Sequence, residues 1–254
     1  MEKLKEIFLY KELIQNLTVR NIKIRYKNSF LGFFWTLLNP IIFIMIYYFF
    51  IKLMRFQMDL SGLLAGILPW HFLSMTLSDN VECITGNSTL ITKVRFPRII
   101  LPLSTACADL LNYALSLIVL ILFLPVLGAA FSFKILLLLP LVALTFVFVF
   151  GFSLLLATCN VYFKDTSHIL SVGLMAWFFM TPIIYPLTQI PERFRDIIYI
   201  NPMASLIAMY RYTLTGAALD FNIWILAGMT LILIVFMTGV NLFYKYEPVF
   251  ADEL

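Results

Sequence analysis

Six runs of about twenty apolar residues constrain this chain more than any other feature; they lie at about 31–54, 69–91, 100–127, 135–160, 169–187 and 222–244. A run of that length crosses the roughly 30 Å hydrocarbon layer as a helix. In lipid each backbone polar group must be satisfied within the structure itself, so helices are the expected solution. The fold expected is therefore an all-α integral membrane protein with six transmembrane helices. Composition agrees, because 62% of the 254 residues are hydrophobic and 13% are charged, against roughly 25% charged in soluble domains. The second run is the most polar of the six. No soluble domain interrupts the runs, so residues 1–254 form one domain: a basic segment over 1–27, then a six-span bundle over 31–246.

Lys and Arg placement orients the bundle. With the N-terminus inside, Lys3, Lys5, Lys11, Arg20, Lys23, Arg25, Lys27, Lys93, Arg95, Arg98, Lys164 and Lys245 fall on the cytoplasmic side. Lys52, Arg55, Lys134, Arg193, Arg195 and Arg211 fall outside. The two-to-one bias predicts both termini in the cytoplasm. No secretory signal is visible, since the first apolar run follows a long basic segment and lacks a small-residue cleavage site.

Two regions stand apart from the spans. In residues 1–27, Leu4, Ile7 and Phe8, then Tyr10, Leu13, Ile14 and Leu17, recur at helical spacing. The expectation is an amphipathic interface helix on the inner membrane surface, near anionic headgroups; a plain topology anchor has the same pattern. Residues 186–220 hold Pro186, Pro191, Pro202, the charges Glu192, Arg193, Arg195, Asp196 and Arg211, and two apolar runs too short to span. Short re-entrant helices before the last span fit this stretch, as a gate or lid over a pathway.

Ionisable residues within spans are functional candidates. His71, Ser74, Ser78, Asp79, Glu82 and Thr85 share one side of the second span, and Thr105, Asp109, Asn112, Tyr113 and Ser116 mark the third. Such stripes line an aqueous path or bond one helix to the next; structure or gating is the preferred role. No catalytic constellation emerges. The chain lacks G-x-x-x-x-G-K-[ST], a His-x-x-His pair and G-x-S-x-G, and Cys83, Cys107 and Cys159 lack metal-ligand spacing. No metal, no cofactor and no nucleic-acid partner is expected of the chain itself. The Asn87–Arg98 loop carries Lys93, Arg95 and Arg98 for a cytoplasmic partner to grip, or as a positive-inside signal. Aromatics crowd the first and fifth spans, Trp35, Tyr47, Trp177 and Tyr185 among them, offering faces suited to sugar rings.

Arg20-Asn-Ile-Lys-Ile-Arg-Tyr-Lys27, Ser29-Phe-Leu-Gly-Phe-Phe-Trp35 and Leu38-Asn-Pro40 resemble the entry segment of type-two ABC export permeases. Phe96-Pro-Arg98 with Leu101-Pro-Leu103 is similar to their loop before span three. Thr181-Pro-Ile-Ile-Tyr-Pro186, Ile190-Pro-Glu192, Asn201-Pro-Met203 and Tyr210-Arg211 resemble their outer re-entrant region. These ordered blocks run from about residue 20 to 215, and the subgroup most similar exports O-antigen, capsule or teichoic acid. The resemblance implies a permease homodimer in the bacterial inner membrane, with two copies of a separate ATPase that binds ATP and Mg. It implies a lipid-linked polysaccharide substrate among membrane lipids. Carried over by position, Arg20, Lys23, Arg25, Lys93, Arg95, Phe96 and Arg98 couple to the ATPase. Phe33, Trp35, Tyr47, Trp177 and Tyr185 line the path, and Pro191, Asn201, Pro202 and Arg211 belong to the gate. Asp79, Glu82 and Asp109 remain as polar intramembrane groups. Rival readings are a teichoic acid or small-hydrophobic-compound ABC exporter, a membrane enzyme on lipid-linked sugars, and a proton-coupled secondary transporter.

Overall fold

The computed structural model describes all residues except 1–6, 26, 28, 30, 55–58, 128–132, 187–188, 220–221 and 254, and omits the side chains of Phe33, Thr36, Leu37, Ile51, Met54 and Asp196. Lys3, Leu4, Lys5 and Arg55, and the side chain of Phe33, therefore lie outside the described residues. Among those described there is helix and no strand. The helices are α1 (Lys11–Arg25), α2 (Trp35–Met54), α3 (Leu60–Val81), α4 (Ser88–Lys93) and α5 (Ile100–Phe123). They continue as α6 (Leu138–Tyr162), α7 (Thr166–Met180), α8 (Glu192–Ile198), α9 (Pro202–Thr215) and α10 (Ile223–Tyr246).

Among the described residues four helical stretches are long and apolar enough to cross a membrane: Leu60–Val81, Ile100–Phe123, Phe133–Tyr162 and Ile223–Val249. Leu38–Phe50, the part of the 20-residue α2 whose side chains are all described, and the 15-residue Thr166–Met180 are apolar as well. The second span corrects the expected boundaries, running over 60–81 and not 69–91. Asp59 starts it early, with extended backbone and a side chain that accepts from the Gly62 N–H at 3.2 Å. After Val81, polar side chains bond to nearby carbonyls: Thr85 Oγ1 to Glu82 at 3.3 Å and Asn87 Nδ2 to Cys83 at 2.8 Å. Such local bonds offer the backbone an alternative to continued helix. Glu82 is consequently the C-cap of α3, exposed at its end and not within the span.

α3 is the hub of the bundle. It packs against α2, α5, α6, α7 and α9, and 17 of its 22 residues are buried. That explains why it is the least apolar of the four long helices: protein, not lipid, surrounds most of it. Its exposed side carries His71, Ser78 and Asp79, the polar stripe expected there. α10 is the opposite case, with Leu233, Ile234 and Met237 exposed and only one narrow face buried. That face crosses α6 at glycine: a methyl on Gly239 would lie 2.1 Å from the Gly151 carbonyl oxygen, and one on Gly151 2.4 Å from Phe236 Cα. Only hydrogen fits at that crossing.

Contacts sort the connecting segments to two ends. At one end a buried cluster gathers Leu17 of α1, Ile84, Ile91 and Ile99 of the loop after α3, Val161 of α6, and Phe243 and Phe250 near the C-terminus. At the other end Lys134 lies over the Tyr212 ring at 3.9 Å, and Arg211 bonds to Gly62 and Ile183.

Candidate functional site

The centre of the first end is built on α1. Leu13, Ile14 and Leu17 turn toward the apolar cluster, and Thr18, Asn21 and Arg25 continue the same face at helical spacing. These three meet a matching row on α5. Thr18 Oγ1 donates to the Ser104 carbonyl at 3.3 Å and Asn21 Nδ2 to Thr105 Oγ1 at 3.2 Å. Arg25 donates to Asp109 Oδ1 at 2.6 Å and to Asp79 Oδ2 of α3 at 2.5 Å. The apolar face of the interface helix is thus spent on the protein itself, and the opposite face, with Lys11, Arg20 and Lys23, is exposed. Asn16, Val19, Arg20, Lys23, Ile24 and Lys27 form an open basic groove there.

The clamp is unequal. Asp109 is wholly buried at its side chain, Arg25 is 23% exposed, and Asp79 is 40% exposed. Charge in a low-dielectric setting is tolerated when paired, so Arg25 is what allows an ionised Asp109 at that depth. Asp79 is the less buried of the two carboxylates and depends less on the same cation.

The other coupling candidates divide. Arg20 donates to Asn87 Oδ1 at 3.3 Å, joining α1 to the loop after α3. Lys93 and Arg95 are exposed at the tip of that loop, and Phe96 packs on the apolar cluster beneath it. Arg98 is not at the tip. Its backbone N–H donates to Glu247 Oε1 at 2.7 Å, and its guanidinium bonds to the Glu247 carbonyl, pinning the loop to the end of α10.

At the second end the gate candidates also part. Asn201 caps α9 by accepting from the Met203 N–H at 3.1 Å, accepts from Trp177 Nε1 at 3.0 Å, and donates to Thr181 Oγ1 at 2.9 Å. Pro202 occupies the first turn of α9, where its missing N–H costs nothing. Arg211 Nε donates to the Gly62 carbonyl at 3.0 Å and Nη2 to the Ile183 carbonyl at 2.7 Å. Pro191 lies exposed before α8. Of the aromatic candidates, Trp35 and Tyr47 are half-buried on α2, with Tyr47 stacked on Phe43 at 6.3 Å. Trp177 sits edge-on to Trp70, Phe148 and Phe152 within the protomer. Tyr185 donates to the Phe179 carbonyl at 2.9 Å.

Sequence reasoning listed Arg25, Asp79 and Asp109 but placed them in two different roles. The available signal was spacing: Thr18, Asn21 and Arg25 on one face of a helix match Ser104, Thr105 and Asp109 on another.

Several long apolar helices, with a basic helix held to their ends, define a multi-pass membrane protein. Comparison makes this specific: the profile of the ABC-2 type transporter family matches residues 12–215, and the chain belongs to that family. It is 34% identical over 247 residues to an O-antigen export system permease protein RfbA of Klebsiella pneumoniae, covering 96% of this chain and 95% of that one. It is 35% identical over 216 residues to a Myxococcus xanthus protein of the same name, covering 82% of each chain.

Proposed function

We propose that this chain is the membrane subunit of an ATP-driven exporter that carries lipid-linked O-antigen across the bacterial inner membrane. The observation that carries the reading is its similarity, along nearly its whole length, to permeases named for O-antigen export. The permease itself performs no hydrolysis in this account; ATP and Mg belong to a separate ABC ATPase, two copies of which serve a permease homodimer.

Six crossings with both termini in the cytoplasm fit the segregation of connections to two ends. α2 supplies the first crossing with its 20 residues, and α7 supplies the fifth with a short helix. Fifteen residues of α7 rise only about 22 Å, less than the roughly 30 Å layer. The chain then continues as Thr181, Pro182 and Ile183, all buried. Irregular backbone at that depth requires protein around it, and Arg211 meets the need by donating to the Ile183 carbonyl. α8 and α9 form the re-entrant gate, with Asn201 and Arg211 holding its frame.

Coupling runs from the ATPase to Lys93 and Arg95 at the loop tip, and to the exposed basic face of α1 with Arg20 and Lys23. Arg25 carries the motion of α1 into α3 and α5, because a shift of that helix pulls on both carboxylates at once. The polymer moves past Trp35 and Tyr47 on α2, while Trp177 on α7 and Tyr185 in the segment after it support the gate. Weak contacts suit a moving chain, as in conducting pores.

Depleting the protein in cells that keep the partner ATPase tests the reading. O-antigen should disappear from the cell surface and accumulate, still lipid-linked, at the cytoplasmic face of the inner membrane. Surface O-antigen at its usual level after depletion would remove the assignment.

A further inference from the structure

We infer that α10 and the segment after it act as a rod between the loop that meets the ATPase and the outer gate, with Glu247 as the positioning residue at its inner end. The inference rests on the export reading above. The loop and the gate lie at opposite ends of the bundle, so a signal between them has to pass along a helix. α10 is held closely at both of its ends, by different kinds of contact.

At the inner end the chain turns back on itself. Pro248 has no N–H for the helical ladder, and α10 gives way to one 3₁₀ turn, Glu247–Val249. The Phe250 N–H returns to the Glu247 carbonyl at 3.3 Å, and the Phe250 ring packs edge-on against Phe243 with centroids 5.3 Å apart. Both rings are fully buried, in the cluster that also holds Ile84, Ile91 and Ile99 of the loop. Glu247 bonds to the same loop, accepting from the Arg98 N–H at Oε1 and from the Arg98 guanidinium at its carbonyl. A hydrogen bond to a carboxylate is charge-assisted and roughly twice as strong as a neutral one. Tyr246 meets Tyr162 of α6 edge-on at 5.7 Å. Lys93 and Arg95 are therefore the exposed tip of a loop whose base is fastened to α10.

A clip that only tidied the inner end would not need the outer end to be close-packed as well. There, a methyl on Gly228 would lie 2.4 Å from the Tyr199 carbonyl oxygen and 2.5 Å from Ser205 Oγ, so the α10 backbone touches the turn between α8 and α9. Ser205 Oγ donates to the Tyr199 carbonyl at 2.7 Å, and Asn201 of the same turn caps α9. Gly228 and Gly239 are about three turns apart and share the narrow buried face with Ile225, Ile232 and Phe243. From Gly228 to Glu247 the helix runs about 28 Å. Pro40 and Pro69 lie within α2 and α3, whereas α10 has no proline, the commonest cause of a kink. Its other faces, with Leu233, Ile234 and Met237 exposed, meet lipid, which offers no fixed contact to hold it back. A thrust on the loop thus displaces Glu247, and α10 delivers it to the foot of α9, taking α6 along through the Gly151–Gly239 crossing. Rigid packed elements of this kind carry coupling between distant sites.

The test uses the complete transporter with its ATPase in inside-out inner-membrane vesicles, reading the lipid-linked O-antigen protected from an added glycosidase per ATP hydrolysed. Glu247→Ala should cut that ratio by about fivefold or more, the scale of one lost hydrogen bond, while ATP hydrolysis continues. Glu247→Gln, which keeps an acceptor at Oε1, should stay within about twofold of wild type. A fluorophore on Phe194→Cys of α8, in a chain with Cys83, Cys107 and Cys159 changed to Ala, reads the gate. Its ATP-dependent emission change should vanish with Glu247→Ala and persist with Glu247→Gln. If Glu247 only stabilises the fold, Glu247→Ala lowers hydrolysis and protection together in proportion to folded protein; that unchanged ratio overturns the rod. A gate signal that still follows ATP in Glu247→Ala overturns it too. Normal coupling in Glu247→Ala beside ATP-driven protection in the wild type condemns the rod alone, whereas no ATP-driven protection in the wild type condemns the export reading and the rod with it.

Discussion

Arg25 is the residue on which most of this account turns. Removing it as Arg25→Gln leaves Asp109 buried without its cation, a change of the kind that costs roughly 3–5 kcal/mol; the partial exposure of Arg25 places the expected loss at the low end. Asp79→Asn should cost about 1 kcal/mol or less, because its carboxylate is 40% exposed and Arg25 keeps its partner Asp109. The double variant Arg25→Gln with Asp109→Asn should recover much of the lost stability, since no charge is then stranded. Thermal unfolding of the purified protein in nanodiscs checks all three. With Asp109→Asn measured alone as well, a double variant as damaged as the sum of Arg25→Gln and Asp109→Asn would mean that the clamp is not an interacting pair. The residue types were legible in the sequence, but the pairing was not. Arg25 stands 54 residues from Asp79 and 84 from Asp109, and no local pattern reports a contact over such separations. The aromatic signal was equally ambiguous: a Trp count does not distinguish a pore wall from Trp177, whose N–H is bound to Asn201.

At the scale of elements, apolar periodicity found the long helices well and their ends poorly. The α3 run was misplaced by nine residues because its polar side chains are sheltered by neighbouring helices, which a hydropathy reading cannot know. The cap at Asp59 was the local sign that was available. The loop before α5 behaves as two parts. Lys93→Glu with Arg95→Glu, both exposed, should uncouple ATP hydrolysis from export while leaving the fold intact. Reversing Arg98 should instead loosen the loop from Glu247, and is expected to lower thermal stability as well as export. Measuring ATPase rate and surface O-antigen together in each variant separates the cases; normal export in the Lys93/Arg95 variant would reduce the loop to a topology signal. The α6–α10 crossing makes a second demand. Gly151→Leu has no room against Phe236 Cα, so it should drive the helices apart and sharply reduce the amount of folded protein in the membrane, by several kcal/mol in the range of severe overpacking. Folded yield by fluorescence-detection chromatography reads this directly.

For the whole molecule, composition and the order of apolar runs made the membrane class plain, and the spaced motifs pointed to the family that comparison then established. Topology is the feature that binds the rest together. Reporter fusions after Tyr246 should report from the cytoplasm and fusions after Lys134 from outside. A C-terminal reporter outside the cell would require an odd number of crossings and make α9 a span. The central claim is that ATP, through a separate subunit, drives lipid-linked polymer through this chain. Inside-out inner-membrane vesicles holding both subunits and the lipid-linked O-antigen test it most directly, by following how much polymer becomes protected from an added glycosidase. The account predicts protection that rises with ATP, is absent with a non-hydrolysable analogue, and survives a protonophore. Protection that collapses with the protonophore and is indifferent to ATP would contradict it and make Asp79, Asp109 and His71 a proton path.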